Sequence, residues 1–245
     1  MAAENEQQVA LVTGAGRGIG RAVAIALARQ GFSICIAART RDELEETRRA
    51  TGLGPSRALI VLVDLAAEEG PEALSTTALE HFGRLDVLVN NAGWAPARTP
   101  LTKMSAADND RILAVNLRAP IALTRMAAAA MSKHGGGTIV NVASAAARNT
   151  PAGEAVYAAA KAGLVAFTRA AFAELAPSGI KVSVIVPGLV DTSLIPNNKR
   201  LDRSAMLSPE EVAAAVMQIV NSPARVCPVE VTLEPQRDPM RAAKH

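Results

Sequence analysis

The stretch "VALVTGAGRGIGRAVAIALARQG", residues 9–31, joins a short apolar run to a glycine-rich turn and then to a run of helical composition. A strand, a glycine turn and a helix in that order make up the unit that cradles a phosphate in dinucleotide-binding folds. We expect Gly14 to allow the tight turn, Gly18 to admit a pyrophosphate and Gly20 to let the helix pack closely on the strand. The helix N-terminus would then offer free N–H groups to the anion. Because the spacing is G-x-x-x-G-x-G and not G-x-G-x-x-G, a turn without a ligand is the alternative.

Further short apolar runs recur along the chain, and strands that are apolar on both faces are typical of a parallel sheet covered on both sides. The runs lie at residues 33–38, 58–64, 85–90, 138–144, 181–187 and 228–233. Stretches of helical period separate them. The pattern predicts an α/β fold, a Rossmann-type doubly wound parallel sheet of about seven strands with helices on both faces, in three αβα layers. We expect one domain over residues 1–245, with a short mobile substrate flap at 189–207.

Two of the helical stretches carry start signals. Thr40 and Glu43 have the spacing of a capping box, in which an N-cap hydroxyl and a glutamate three residues later satisfy each other's backbone amides. Ser208 and Glu211 have the same spacing, with Pro209 at the first helical position between them. Both pairs predict a helix that begins there.

Composition narrows the class of protein. With 49% hydrophobic and 20% charged residues, the 245-residue chain can fill a core and is not expected to be disordered. The net charge is +3 without clustered basic residues, so we expect no nucleic-acid partner. The N-terminus is polar and no apolar run approaches about 20 residues, which predicts a soluble cytoplasmic protein without a membrane partner. Cys35 lies in an apolar run and is expected to be buried; no Cys/His spacing suggests a metal.

The end of the second predicted strand bears on the choice of cofactor. NAD sites usually have a carboxylate there for the ribose 2′-hydroxyl, but Ala38 and Arg39 stand in its place. Arg39 and Arg17 of the glycine turn can instead pair with a 2′-phosphate, which predicts NADP(H) over NAD(H). The alternative is that both arginines are solvated. Asp64, at the end of the third strand, either accepts a hydrogen bond from the adenine amino group or caps a helix.

Six motifs occur in order along the chain: "TGAGRGIG" at 13–20, "NNAG" at 90–93, Asn116 in "AVNL", Ser144 in "NVAS", "YAAAK" at 157–161 and "PGLVDT" at 187–192. With them, the sequence resembles the short-chain dehydrogenase/reductase family over about residues 8–235. The thirteen residues that separate Ser144 from Tyr157 match the family's spacing. The resemblance implies a single Rossmann-type domain with a seven-stranded parallel sheet.

The resemblance also implies which residues form the site. Asn116, Ser144, Tyr157 and Lys161 would be the catalytic group. The expected cofactor-binding residues are Gly14, Arg17, Gly18, Ile19, Arg39, Asp64, Leu65, Asn91, Ala92, Gly93, Tyr157, Lys161, Pro187, Gly188, Val190 and Thr192.

The chemistry of such a group can be stated from its side chains. Tyr157 is the only tyrosine of the chain, and Lys161, four residues later, shares its helix face. A phenol has a pKa of about 10, so we expect the lysine to lower the pKa of Tyr157 and make it a better general acid and base. Ser144 would donate to the substrate oxygen, and Asn116 would hold a water that relays protons to Lys161. Taken alone, each of these four residues could instead have a purely structural role.

The substrate is less well determined. Trp94, Ala145, Ala146 and Leu189 are the expected pocket residues, and their apolar character favours a hydrophobic carbonyl or alcohol. The sequence is similar to the 3-oxoacyl-carrier-protein reductases, which carry these motifs, but it departs from them in two places. The ending "VEVTLEPQ" lacks the Asp-Gly-Gly that is usual in those reductases, and "ELAPSGIK" lacks the arginine that they tend to carry there. A dehydrogenase of small hydroxy acids or alcohols and a catalytically silent NADP-binding regulator stay open. Alanine-rich helices around 105–133 and 152–176 predict a homo-oligomer, a dimer or tetramer.

Overall fold

A parallel seven-stranded sheet forms the centre of the computed structural model, which describes residues 7–193, 195 and 201–240. The strands are β1 (Val9–Thr13), β2 (Ser33–Ala38), β3 (Ala58–Leu62), β4 (Val87–Asn90), β5 (Gly137–Val142), β6 (Ile180–Pro187) and β7 (Glu230–Leu233). Their order across the sheet is β3-β2-β1-β4-β5-β6-β7, and every neighbouring pair is parallel. The predicted doubly wound sheet is confirmed.

Helices cover both faces of the sheet. They are α1 (Gly18–Arg29), α2 (Arg41–Thr51), α3 (Gly70–Phe82), α4 (Ala106–Leu113), α5 (Ala119–Met131), α6 (Ala146–Asn149), α7 (Ala155–Leu175) and α8 (Pro209–Val220). Helices α1, α2 and α8 pack on one face, and α3, α5 and α7 pack on the other. The result is the predicted three-layer αβα arrangement.

The central strand shows why apolar runs on both faces predicted this sheet. Ala10 and Val12 of β1 face the layer under α1 and α8, while Val9 and Leu11 face the layer under α3 and α5. Successive side chains of a strand point to opposite faces, so a strand buried on both sides has no polar positions to alternate with. Cys35 of β2 is fully buried, as expected, and burial raises the pKa of its thiol to about 12.

The order in which strands are added across the sheet reverses between β3 and β4. The first three strands extend to one edge, and β4 then returns to pair with the other side of β1. In open α/β sheets ligands bind in the crevice at such a switch point, outside the carboxyl ends of the strands. The glycine turn after β1 lies at this place.

One predicted capping box forms and the other does not. The Ser208 hydroxyl accepts from the Glu211 amide at 3.2 Å, and the Glu211 carboxylate accepts from the Ser208 amide at 2.7 Å. At the start of α2 the helix begins where the spacing predicted it, with Thr40 at the N-cap position, but the Thr40 hydroxyl caps no amide within the described part of the chain, so the capping box itself does not form. Glu43 lies instead 3.6 Å from the guanidinium of Arg17.

The helical run over 106–134 tests the expectation about membranes. Among the described residues it is the one helical stretch long and apolar enough to cross a bilayer, and 56% of its 18-residue apolar window is buried inside the protein. Leu123, Ala127 and Met131 of α5 lie in the core under the sheet. Burial of that extent is typical of a core helix.

The segment predicted as a flap, 189–207, is described in part, since residues 194 and 196–200 lie outside the described residues. Val190 and Leu207 form a parallel bridge at its base. Leu201 pairs with Met240 in an antiparallel bridge, and the Asp202 amide donates to the Pro239 carbonyl at 2.8 Å. The end of the described chain therefore braces this segment, and its mobility stays a prediction.

Candidate active site

The turn after β1 is held by the strand that returns beside it. Gly14 has φ +64°, and a Cβ there would lie 2.9 Å from the Cα of Ala92. The Asn91 amide side chain donates to the carbonyls of Thr13 and Gly14 at 3.0 and 3.3 Å. The Thr13 hydroxyl in turn accepts from the amides of Asn91 and Ala92, both at 3.0 Å. The "NNAG" segment thus fixes the shape of the glycine turn.

Helix α1 begins directly against this turn. A Cβ on Gly20 would lie 2.2 Å from the Gly14 carbonyl oxygen, so no other residue fits without a backbone shift. Arg17 occupies the N-cap position with its side chain capping no amide among the described residues, and the first turn contains no acidic residue. The first amides of α1 are therefore available to an anion.

Two side chains that the sequence analysis missed clamp the other side of the turn. The Thr47 hydroxyl of α2 donates to the Ala15 carbonyl at 2.9 Å. Arg21 donates through Nε to the Gly16 carbonyl at 3.0 Å and forms an ion pair with Glu46 at 2.8 Å. Thr47 is 32 residues from Ala15, so the glycine motif carries no signal for it, whereas Arg21 directly follows the motif and its contact depends on the fold of the turn.

A cavity of about 930 Å³ runs from the glycine turn to the end of β5. It is lined by all the predicted cofactor residues and all the predicted pocket residues, and by Ser144, Tyr157 and Lys161 of the catalytic group. Of the predicted site residues, Asn116 is the exception, since it is fully buried behind the cavity wall. The structure therefore brings together residues that are up to about 180 positions apart in the chain.

Asn116 lies in a single wide helical turn, Ala114–Arg118, between α4 and α5. Its Nδ2 donates to the carbonyls of Trp94 and Ile112 at 2.6 and 2.9 Å, and its Oδ1 accepts from the Trp94 amide at 3.3 Å. One donor of the side chain is thus occupied by the Trp94 carbonyl and the other by the Ile112 carbonyl, so the side chain ties the Trp94 backbone to α4. The water that Asn116 was expected to hold stays a prediction.

Ser144 and Tyr157 meet through their hydroxyl groups. A hydrogen bond from Ser144 favours the phenolate, but burial outweighs it and raises the pKa of Tyr157 to about 12, with the nearby charge of Glu154 acting in the same direction. The expected lowering of the pKa of Tyr157 by Lys161 is not seen, although the ammonium lies 5.8 Å from the ring centroid, because burial dominates. Ser144 also accepts from the Ala146 amide at 3.2 Å, so it starts the turn into α6 as well.

Lys161 is a buried cation, with 3% of its surface exposed. Its Nζ donates to the Val142 carbonyl at the end of β5 at 2.9 Å. Burial lowers the pKa of Lys161 to about 8, because removal from water penalises the charged form.

The buried lysine makes the stability of the fold depend on pH. Between about pH 8 and pH 10.5 the folded protein binds fewer protons at Lys161 than the unfolded chain. The buried charge therefore destabilises the fold by its full amount below pH 8, and this destabilisation decreases as the pH rises towards 10.5. Lys161→Met has no such group. The free energy of unfolding of Lys161→Met minus that of wild type should therefore decrease by about 2 kcal/mol between about pH 7.5 and 9.5. Urea unfolding of both proteins at the two pH values measures this, and a constant difference would contradict it.

Asp64 at the carboxyl end of β3 is held by two partners. Its carboxylate accepts from the Ala66 amide at 3.0 Å and from Arg111 at 2.9 Å. Burial acts to raise the pKa of Asp64, but the Ala66 amide and the charges of Arg111 and Arg39 together lower it. The expectation that Asp64 caps a helix was wrong, since its carboxylate caps the turn at Ala66 and α3 begins only at Gly70. The contact with adenine stays a prediction for a carboxylate that lines the cavity.

Arg111 links this end of the cavity to the other end. While one nitrogen binds Asp64, its guanidinium lies 5.4 Å from the centroid of the Trp94 ring. Trp94 is the residue whose backbone Asn116 holds. Nothing in the sequence motifs indicated Arg111, because its role arises only from these tertiary contacts.

The residues present fit a nicotinamide dinucleotide. Close backbone approach at Gly14 and Gly20 leaves the turn free of side chains, the amides at the start of α1 suit a pyrophosphate, and the cavity continues to the hydroxyls of Ser144 and Tyr157. A parallel doubly wound sheet with such a turn at its switch point defines a Rossmann-type fold.

Comparison with known proteins identifies the family. The family model described as short chain dehydrogenase matches residues 8–202. A short-chain reductase protein, NovJ, of Streptomyces niveus is 38% identical, with 88% of this chain and 87% of the relative covered. The chain therefore belongs to the short-chain dehydrogenase/reductase family of oxidoreductases.

Solved structures agree with this placement. A metagenomic short-chain oxidoreductase, crystallised in complex with NADP, is 33% identical with a TM-score of 0.81, covering 94% of this chain and 98% of the other. Acetoin dehydrogenase from Enterobacter cloacae is 27% identical with a TM-score of 0.85, covering 96% and 100%. The predicted similarity to 3-oxoacyl-carrier-protein reductases in particular stays a prediction.

Proposed function

We propose that the protein is an NADP(H)-dependent oxidoreductase that transfers a hydride between the nicotinamide and a carbonyl or secondary alcohol substrate. The observation that carries the proposal is the single cavity that contains both the glycine turn and the hydroxyls of Ser144 and Tyr157, with Lys161 beneath them. A bound dihydronicotinamide ring would supply the hydride.

The residues of the chain would bind that cofactor along the cavity. The turn at Gly14 and Gly18 and the start of α1 would take the pyrophosphate, with Asp64 and Leu65 near the adenine. The segment that starts at the end of β6 and runs from Pro187 to Thr192 would border the nicotinamide. In support, a Cβ on Gly18 would lie 3.1 Å from the Thr192 side chain, so this segment crosses directly over the turn.

The catalytic group would handle the proton. When a hydride reaches a carbonyl carbon, negative charge develops on the oxygen, which needs a hydrogen-bond donor and then a proton. Ser144 would donate to that oxygen, and Tyr157, with its pKa near 12, is protonated at neutral pH and so is a proton donor in reduction. Lys161 would supply positive charge beneath both, and Asn116 would position the Trp94 side of the cavity.

The substrate end of the cavity favours a small or moderately hydrophobic ketone. Trp94, Ala145, Ala146 and Leu189 provide its apolar wall, and Arg98 pairs with Glu154 at 2.6 Å on the rim. We propose a 3-oxoacyl-type compound or another small ketone as substrate. NADPH oxidation against a panel of ketones, β-ketoesters and short 3-oxoacyl thioesters tests this, and oxidation with none of them would contradict the proposed activity.

A dehydrogenase of small hydroxy acids or alcohols within the same family is the second candidate. It is supported by the last strand, β7, which continues as "EPQ" after Leu233 where an Asp-Gly-Gly ending is usual in the 3-oxoacyl reductases. The structural likeness to acetoin dehydrogenase points the same way. Preference for acetoin-like hydroxyketones over 3-oxoacyl thioesters in the same panel would favour this candidate.

The preference for NADP(H) rests on Arg17 and Arg39, both exposed at the wall of the cavity. The NADP complex of the metagenomic relative supports the same choice. Because a charge-assisted hydrogen bond contributes about 1.5–3 kcal/mol, Arg39→Ala should lower kcat/KM for NADPH about 10- to 100-fold and leave the value for NADH within about twofold. Steady-state kinetics with both cofactors measures this.

Arg41→Ala is the matched control for that variant, since Arg41 is an exposed arginine two residues further on. It should leave both kcat/KM values unchanged within about twofold. Equal kcat/KM values for NADPH and NADH in the wild-type protein, or parallel losses for both cofactors in Arg39→Ala, would contradict the proposed preference.

We also propose that the chain is a single-domain, cytoplasmic homo-oligomer, a dimer or tetramer. Exposed alanines recur at three- and four-residue spacing along α7, and Leu113 and Ile121 are exposed beside the turn that joins α4 to α5. The exposed alanines are Ala155, Ala159, Ala162, Ala166 and Ala170. Such a stripe allows a second helix to approach closely.

A further inference from the structure

One carboxylate stands at the end of the cavity where a 2′-phosphate would bind. Glu43 of α2 lines the cavity, and its carboxylate lies 3.6 Å from the guanidinium of Arg17. Two other cavity carboxylates are engaged elsewhere, Asp64 with Arg111 and Glu154 with Arg98. Glu43 is thus the acidic group paired with Arg17, whereas the charge of Arg39, the other arginine proposed to bind the phosphate, acts on Asp64.

The position of Glu43 is fixed by its backbone and by the glycine turn. Its carbonyl accepts from the Thr47 hydroxyl at 3.0 Å and from Arg21 at 3.4 Å. A Cβ on Gly16 would lie 3.0 Å from the Glu43 Cβ and 2.8 Å from its Oε2, so the side chain rests against the turn. Its side chain is 33% exposed, whereas that of Arg17 is 60% exposed. The more buried carboxylate, packed against the turn, is therefore paired with a more exposed arginine.

Arg17 has two competing anionic partners in this region, the Glu43 carboxylate and a bound 2′-phosphate. A phosphate monoester carries nearly two negative charges at neutral pH, so it would be attracted to Arg17 and Arg39 and repelled by Glu43. To use Arg17, the phosphate has to displace the Glu43 carboxylate from it. A ribose with a free 2′-hydroxyl has no such conflict, because a hydroxyl can donate to a carboxylate.

We propose that Glu43 is a specificity-determining residue, whose carboxylate competes with a 2′-phosphate for Arg17 and so narrows the preference for NADP(H) over NAD(H). The inference rests on the proposed function, since it assumes that Arg17 and Arg39 form the 2′-phosphate site. The chain itself would then supply a carboxylate that opposes binding of the 2′-phosphate, and this carboxylate lies on α2, outside the glycine motif.

Binding of two small probes tests the proposal without any turnover. Adenosine 2′,5′-bisphosphate and adenosine 5′-monophosphate differ only in the 2′-phosphate, and isothermal calorimetry gives the Kd of each. Glu43→Gln should bind the bisphosphate about fivefold more tightly than wild type, the scale of one partly exposed charge interaction, and the monophosphate within about twofold. The gain should shrink in about 0.5 M salt, because screening weakens it.

Two further variants identify the cause. In an Arg17→Ala background, Glu43→Gln should change bisphosphate binding by less than about twofold, because Arg17, the arginine that pairs with Glu43, is absent. Glu45→Gln, two residues along the same helix with a side chain 35% exposed and paired with Arg48, should leave the binding of both probes unchanged.

Three results would overturn the proposal. They are unchanged or weaker bisphosphate binding in Glu43→Gln, an equal gain in the Arg17→Ala background, or a gain of the same size for the monophosphate. Failure here is distinct from failure of the proposed oxidoreductase activity. A protein that oxidises NADPH with a ketone but binds the bisphosphate no better after Glu43→Gln would lose only the role of Glu43.

Discussion

Replacement of Tyr157 by phenylalanine is expected to lower kcat for the best ketone substrate by about a thousandfold, the scale of a positioned general acid. The change removes only the hydroxyl that bonds with Ser144 and leaves the ring beside Lys161. Because the ring and its packing are retained, the free energy of unfolding and the Kd for NADP+ should stay close to wild type. Steady-state kinetics, urea unfolding and calorimetry measure the three quantities.

Ser178→Ala, which removes an exposed hydroxyl just beyond the far end of α7, is a suitable control and should keep wild-type kcat. Wild-type turnover in a folded Tyr157→Phe protein would refute the proton-donor role of Tyr157. A large loss of stability in the variant would show instead that the hydroxyl serves the fold.

Gly20→Ala is expected to lower the free energy of unfolding by about 3 kcal/mol, at the upper end of what overpacking costs. The added Cβ would lie 2.2 Å from the Gly14 carbonyl oxygen and 2.5 Å from the Asn91 side chain, both of which belong to the fixed turn. Either α1 or the turn would have to move, and the cofactor cradle would move with it. Urea unfolding monitored by circular dichroism gives the free energy.

Gly54→Ala provides the matched control. No heavy atom of the described residues lies within 4 Å of a Cβ built at Gly54, and its φ lies outside the left-handed region. That variant should stay within about 1 kcal/mol of wild type. If both alanine variants proved equally stable, the close approach of α1 to the turn would not hold.

The sheet was predictable because most of its strands are buried on both faces. Residues 138–144 and 181–187 were expected as strands, and the structure has Gly137–Val142 and Ile180–Pro187. A continuous apolar run suffices to find such a strand. At the sheet edge the signal is weaker, because the run at 228–233 is less buried and only Glu230–Leu233 pairs.

The site was predictable where a motif has fixed spacing and not where a contact joins distant residues. Tyr157 and Lys161 share a helix face because they lie four residues apart. Glu43 was expected to cap Thr40 from local spacing alone, but Arg17, 26 residues earlier, pairs with it instead. The pKa of Tyr157 was expected to fall through Lys161, and burial raises it, because desolvation depends on the surroundings and not on spacing.

The place of β1 in the sheet has a consequence for synthesis of the chain. One side of β1 pairs with β2, but the other pairs with β4, and the Val9 amide donates to the Asp86 carboxylate 77 residues later. At about 5–20 residues per second a ribosome needs roughly 4–15 s to make that interval. For that time the nascent protein carries an apolar strand with an unpaired edge, the kind of surface that aggregates or recruits a chaperone. Pairing of the second edge of β1 is therefore expected to be delayed during synthesis, and folding to be slow, as such distant pairings require.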